Sequence, residues 1–336
     1  MTVRVCVVGA GCIGLFTGGK LAGAGAEVTF VGRPRVLEEI TTHGLRLTDL
    51  DGGDQRVEPS AFRVATEPDP AAADLVLVTV KSGATESVAA QLAGRVRPGT
   101  VVLSLQNGIG NDEVLRAALP DAVVLAGMVL FNVAHRSEGR YHRGSDGYIA
   151  VADDPALDRF APVFAQAGLA LRRYPDLRPV QWAKLLLNLN NPINALSGRT
   201  LRDELARRDY RRCLALAQAE ALNVMRAAGI APARLTPIPP NVMRRVLTVP
   251  DWLFRRVAGR VLAVDPLASS SMADDLAAGR ITEMPWLSGE IIRLGDRTGV
   301  PTPVHRRLTE LIESAERGDP RRWTGAELLA QLTTAR

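Results

Sequence analysis

Of the 41 lysine and arginine side chains in this sequence, only three are lysines: Lys20, Lys81 and Lys184. Guanidinium keeps its charge at any working pH, whereas an ammonium can give up its proton, so a lysine in an arginine-rich chain marks a place where a transferable proton is useful. Lys184 stands in Trp182-Ala183-Lys184-Leu185-Leu186-Leu187-Asn188, an apolar helical run in which a charge is costly. Such a lysine either snorkels to water or serves as a proton donor. At helical spacing Lys184, Asn188 and Asn191 share one face, and Pro192, lacking an N–H, leaves the Asn188 carbonyl without its donor in a helix expected over 180–196. That polar stripe calls for a neighbouring helix or for the wall of a ligand pocket. Two later segments have the chemistry to meet it. Ala268-Ser269-Ser270-Ser271-Met272 reads as a helix start whose hydroxyl and amides suit a carboxylate. Thr282-Glu283-Met284-Pro285 reads as another start, where positive helix-end charge favours an ionised Glu283. Each pattern also serves as an ordinary cap.

The first half supplies elements of a different kind. Val3 to Val8 is a short β-branched run suited to a buried parallel strand, and it leads into Gly9-Ala10-Gly11-Cys12-Ile13-Gly14. In a G-x-G-x-x-G turn the first glycine permits the tight bend, the second lets a pyrophosphate approach the backbone, and the third lets helix pack close on strand. A helix from Ile13 to Ala24 and a strand from Glu27 to Val31 complete the context that gives the motif its meaning. An NAD site places a carboxylate at the end of that second strand, but here the residues are Val31-Gly32-Arg33-Pro34-Arg35. Arg33, with Arg35 beside it, suits a 2'-phosphate instead, which favours NADP(H). Further buried strands, Asp74 to Val80 and Thr100 to Leu105, end in Lys81-Ser82 and Gln106-Asn107-Gly108. Lys81 and Asn107 therefore belong to carboxyl ends of strands, the ligand edge of an open α/β sheet. The stretch from Ala122 to Val151 is read as an extension of the sheet, and Pro155 to Gly168 as its closing helix.

From Val180 onward the pattern turns helical, with segments at 180–196, 201–228, 241–249, 253–262, 271–278, 282–298 and 302–317. The fold class expected is α/β, an N-terminal Rossmann-type doubly wound sheet over 1–175 followed by an all-helical domain over 176–336. The amphipathic helices of the second half can form a dimer surface. Arg255, Arg256 and Arg260 are read as the outer face of a helix rather than a membrane contact.

A formal net charge of +5 suits anionic small molecules, while scattered arginines and 4% aromatic residues argue against nucleic acid as a partner. Three cysteines, Cys6, Cys12 and Cys213, make an odd number without zinc-site spacing, so neither a disulfide framework nor a metal is expected. Apolar runs break well short of the roughly 18 residues of a membrane span, and the start lacks a secretory pattern; the expected location is the cytoplasm.

Taken in order, Gly9 to Gly14, Val80-Lys81, Gln106-Asn107-Gly108, Trp182 to Asn188, Ser270-Ser271-Met272 with Asp274-Asp275-Leu276, Thr282-Glu283 and Gly299-Val300-Pro301-Thr302-Pro303 make the chain resemble the ketopantoate reductase (2-dehydropantoate 2-reductase) family. The resemblance spans nearly the whole chain. It implies NADPH on the Rossmann domain, a 2-oxo acid in the cleft between domains, and a place in pantothenate biosynthesis. It matches Lys184 to the family's catalytic lysine and Glu283 to its catalytic-site glutamate. Ser271 and Asn188 match substrate-contacting positions, Asn107 the junction of cofactor and substrate, and Lys81 a cofactor-side lysine. Departures fall at Pro192, Ala268, Pro285 and Ser288, where many members carry other residues. These bear on which 2-oxo acid is taken. The alternatives are a paralogue reducing another 2-oxo acid, an opine-type or hydroxy-acid dehydrogenase, and a non-catalytic NADPH-binding sensor.

Overall fold

Successive residues of the first strands feed two different cores. Val5, Val7, Leu75, Leu77, Val101 and Leu103 join one cluster, and Cys6, Val8, Val76, Val78 and Val102 join another. A strand that is apolar at every position has both faces covered, the condition for a parallel sheet. The computed structural model describes residues 2–236, 238–257, 268–319 and 321–334. The chain divides into two units, one ending at Leu177 and the next beginning at Arg178.

In chain order the first unit comprises β1 (Arg4–Val8), α1 (Cys12–Gly23), β2 (Glu27–Val31), α2 (Pro34–His43), β3 (Leu45–Asp49), β4 (Asp54–Val57), β5 (Phe62–Ala65), β6 (Leu75–Val78), α3 (Thr85–Leu92), β7 (Val101–Ser104), α4 (Asn111–Ala118), β8 (Val123–Val129), β9 (Val133–Ser137), β10 (Arg140–Arg143), β11 (Ile149–Ala152), α5 (Ala161–Gln166) and β12 (Leu171–Tyr174). The main sheet runs β12-β11-β8-β7-β6-β1-β2-β5. All neighbours pair parallel except β11 and β8. Strand order reverses at β1, which lies between β2 and β6, so the ligand crevice falls at the carboxyl ends of β1 and β6.

A second sheet, β4-β3-β10-β9, packs on α1 and has no counterpart in the sequence reading. The stretch from Ala122 to Val151 is accordingly only half an extension of the main sheet. β8 and β11 extend it, while β9 and β10 form a hairpin through Glu138 (φ 45°) and Gly139 (φ 71°), of which β10 pairs with β3 instead.

The second unit is helical among its described residues: α6 (Arg178–Asn188), α7 (Asn191–Ser197), α8 (Leu201–Leu205), α9 (Arg208–Ala227), α10 (Pro240–Thr248), α11 (Asp251–Val257), α12 (Ser271–Ala277), α13 (Ser288–Thr298), α14 (Pro303–Glu316) and α15 (Gly325–Thr334). The long α9 is its axis, packing against α10, α13, α14 and α15 through a face that buries Ala217, Ala221, Val224 and Met225. The helix expected over 180–196 is two helices, broken after Asn188. Pro192 occupies the first turn of α7, where a missing N–H costs nothing. Likewise 201–228 divides into α8 and α9, and α13 begins only at Ser288, after a 3-10 turn over Met284–Trp286. The basic segment is helical to Val257; its remainder, with Arg260, lies outside the described residues. No helix of the described residues is long and apolar enough to cross a membrane.

Candidate active site

The glycine turn after β1 has the three-part design its sequence suggests. Gly9 adopts φ 115°, and a Cβ there would lie 2.7 Å from the Val80 nitrogen; at Gly14 it would lie 2.2 Å from the Gly9 carbonyl oxygen. At Gly11 a Cβ would meet nothing within 4 Å, so this glycine is not required by internal packing and leaves the backbone open to a ligand. The Gly9 and Ala10 amides both donate to the Val31 carbonyl at 3.0 Å, and Thr79 Oγ1 donates to the Gly9 carbonyl at 2.7 Å. The turn is thus fastened to β2 and to the end of β6. The donors left for an anion are those of the first turn of α1, such as Ile13 and Gly14, which have no acceptor within the helix. Cys12 opens that helix and is half-buried. Arg33 and Arg35 are exposed around Pro34 at the start of α2, directly after β2.

Lys81 and Asn107 follow β6 and β7 on the same edge. Lys81 is exposed and Asn107 half-buried. A buried polar network ties their loops together. Ser82 Oγ and Asn111 Nδ2 each donate to the Asn107 carbonyl at 2.7 Å, and Asn111 Nδ2 also reaches Ser82 Oγ at 3.1 Å. Thr85 Oγ1 lies 2.8 Å from Asn111 Oδ1 and accepts from Gln106 Nε2 at 2.8 Å, while Ser104 Oγ donates to Gln106 Oε1 at 2.9 Å. Every member has a partner, the condition under which a buried network rigidifies a loop rather than weakening it.

In the second unit, Lys184 is 9% exposed, on an α6 that also buries Trp182, Leu185 and Leu186. Burial disfavours its charged form and lowers its pKa from 10.5 to about 8. Asn188 ends α6 one turn later and is half-exposed. Ser271 is the exposed first residue of α12, but the capping hydroxyl is that of Ser270, which accepts the Ala273 amide at 3.1 Å. The Ser270 amide itself donates to Asn194 Oδ1 at 2.8 Å, so it is not available to a carboxylate as the sequence pattern implied. Glu283 is half-exposed just before the 3-10 turn, in a segment held by the Thr282 amide donating to Glu316 Oε1 at 2.8 Å. An ammonium with its pKa near 8 stays mostly protonated at neutral pH and parts with its proton more readily than an exposed lysine.

The sequence pattern described as "Ketopantoate reductase PanE/ApbA" matches residues 5–155, and its C-terminal counterpart matches residues 176–316. The chain belongs to the ketopantoate reductase family. A 2-dehydropantoate 2-reductase of Halobacterium salinarum is 32% identical over 325 residues, covering 94% of this chain and 99% of that protein. One from Archaeoglobus fulgidus is 30% identical over 324 residues, covering 94% and 98%. Among solved structures, a PanE/ApbA family ketopantoate reductase from Ralstonia eutropha superposes with a TM-score of 0.77 at 30% identity, over 94% of this chain and 99% of that one. A ternary structure of D-mandelate dehydrogenase with NADH and anilino(oxo)acetate superposes at 0.74 with 20% identity, over 94% and 99%, which speaks to fold alone. Membership makes the chain an oxidoreductase of the CH–OH group that uses a nicotinamide cofactor and a small oxo acid.

Two buried polar clusters of this ketopantoate reductase family member escaped the sequence reading. Glu220 on α9 accepts the Val304 and His305 amides at 3.0 and 2.9 Å, neutralising the start of α14. Beside it the fully buried His305 places Nε2 3.0 Å from the Ala217 carbonyl and Nδ1 3.0 Å from Ser288 Oγ. A carbonyl only accepts, so Nε2 carries the proton and Nδ1 accepts from the serine. The second cluster is Glu204 with Asn190 and Asn194. The repeated asparagines of 190–194 were its one visible signal; Glu204, between arginines and an aspartate, has the local composition of a surface.

Proposed function

We propose that the chain reduces a 2-oxo acid to the 2-hydroxy acid with NADPH, with 2-dehydropantoate giving pantoate as the first candidate, in the cytoplasm and as a step of pantothenate synthesis. The observation that carries the reading is the buried ammonium of Lys184 with its lowered pKa, on a helix that also buries Trp182, Leu185 and Leu186. When bound, the reduced nicotinamide supplies a hydride to C2 of the oxo acid. Negative charge then grows on the carbonyl oxygen, and Lys184 donates first a hydrogen bond and then a proton to it. Glu283 holds the ammonium oriented, Ser271 takes the substrate carboxylate and Asn188 a further substrate oxygen. Gly9 to Gly14 with α1 receive the pyrophosphate, Lys81 and Asn107 line the cofactor side, and Arg33 binds the 2'-phosphate. A homodimer through the helical unit is part of the proposal, tested by light scattering.

Support for the substrate comes from relatives named 2-dehydropantoate 2-reductase. The residues at Pro192, Ala268, Pro285 and Ser288 favour a paralogue as the second reading, and the fold shared with D-mandelate dehydrogenase sets the competing arm of the assay. The test is a panel of 2-oxo acids with NADPH or NADH, read by loss of reduced-nicotinamide absorbance. Turnover of 2-dehydropantoate with NADPH supports the proposal; no oxidation with any oxo acid overturns it and leaves the sensor reading. In the same assay Arg33→Ala should raise the KM for NADPH at least about tenfold and leave that for NADH unchanged, the worth of a charge-assisted hydrogen bond.

A further inference from the structure

Glu204 is a fully buried carboxyl among groups that are themselves uncharged. Its Oε2 accepts from Asn194 Nδ2 at 2.8 Å and from Asn190 Nδ2 at 3.2 Å. Its other oxygen, Oε1, and the Oδ1 of Asn190 are both buried and have no protein donor among the described residues. Two acceptors are thus orphaned on two groups that already touch, and each carries an uncompensated desolvation cost if left so. One proton on Oε1, donated to Asn190 Oδ1, satisfies both and closes a reciprocal acid–amide pair, with the Asn190 amide donating back to Oε2.

Among the described residues the charge that α9 brings to α8 is the buried Arg211, but its guanidinium donates to the Leu205, Leu247 and Val249 carbonyls and pairs with Asp251, not with the Glu204 carboxyl. From α7 come Asn190 and Asn194. From α9 also comes Cys213, whose thiol is pushed up by burial and stays uncharged. The Ala268 carbonyl accepts the Leu201 amide at 2.8 Å where α8 begins. The nearby ions Arg199, Asp203 and Arg207 pair with one another at the surface. The cluster also reaches the proposed substrate site. The Asn194 amide that donates to Glu204 uses its oxygen to hold the Ser270 amide at 2.8 Å, and Ser270 Oγ donates to the Asn191 carbonyl at 3.2 Å.

We propose that Glu204 works as a neutral acid, a positioning residue that through Asn190 and Asn194 sets the Ser270 turn and with it Ser271. The claim about Ser271 rests on the function proposed above; the acid–amide pair does not. Consistent with the geometry, burial raises the Glu204 pKa from 4.5 to about 8, against the smaller opposing effect of the two asparagines. The folded state therefore retains a proton that the unfolded chain has lost, so the contribution of Glu204 to stability falls as pH rises from about 4.5 to about 8 and is level outside that window.

The test compares the full-length protein with Glu204→Gln, whose amide is a permanent donor and acceptor. The variant's melting temperature should exceed the wild type's by an amount that grows across that window. In infrared spectra the wild type should show a protonated carboxyl band at pH 6 to 7 that vanishes above pH 8, a reading that holds even if the variant fails to fold. The KM for the oxo acid should rise several-fold above pH 8 in the wild type and stay level in Glu204→Gln, while the kcat loss from Lys184 is common to both. A pH-independent stability difference, or no such band, means an ionised, water-bridged Glu204 and overturns the proposal. Stability and infrared results as expected without the KM effect confine the failure to the role of Ser271.

Discussion

In the role proposed for it, Lys184 trades stability for chemistry. Its folded pKa of about 8 lies below the ordinary 10.5, so the cost of burying the ammonium is carried in full below pH 8 and fades between about 8 and 10.5. In the proposed mechanism activity has the opposite dependence, because the proton donor is lost as pH rises through about 8. We expect kcat to fall along an alkaline limb centred near pH 8, and Lys184→Ala to lower kcat by ~100- to 10,000-fold, the usual worth of a general acid. Lys184→Met should melt higher than the wild type at neutral pH while turning over as poorly, a combination that calorimetry and the nicotinamide assay together can check. A lysine retained only for packing would give a lower melting point and near-normal rates.

At the level of elements, the glycine turn and the α13–α14 corner make separate predictions. Gly11 faces open space and Gly14 faces the Gly9 carbonyl, so the two substitutions to alanine should part company. Gly11→Ala should weaken NADPH binding, read by fluorescence titration, with the melting temperature unchanged; Gly14→Ala should lower the stability by about 1–3 kcal/mol, the range typical of overpacking, and the melting temperature with it. At the corner, His305 bridges α9 and α13 as a neutral imidazole, with burial lowering its pKa from 6.5 to about 4. Below pH 6.5 the unfolded chain takes up a proton that the folded chain refuses, so stability should drop between about pH 6.5 and 4. His305→Gln should flatten that drop in acid melting curves, at the expense of lower stability at pH 7.

For the whole molecule, the first unit holds two buried core clusters of its own, the helical unit buries its own apolar face on α9, and the residues proposed for the cofactor, from Gly9 to Asn107, all belong to the first unit. A fragment comprising residues 1–177 is therefore expected to fold and bind NADPH with an affinity near that of the full chain, and to show no turnover. Calorimetric titration of the fragment checks both the independence of its core and the assignment of the dinucleotide to it. Failure of a well-folded fragment to bind would place essential cofactor contacts in the helical unit.

What was readable in the sequence was whatever short-range pattern determines. β1, its glycine turn, α1 and the arginine after β2 follow one another within about thirty residues, and each has a local physical reason. The apolar setting of Lys184 was equally local, as was the change to helical period from Val180 onward. Tertiary structure decided the rest, because it depends on partners distant in the chain. The pairing of β3 with β10 across ninety-odd residues, the break after Asn188, the loss of the Ser270 amide to Asn194, and the burial of Glu204 and His305 are all of this kind. Polar residues read as surface when taken in sequence. Only packing reveals which of them have been removed from water, and desolvation is what gives Lys184, Glu204 and His305 their altered proton affinities.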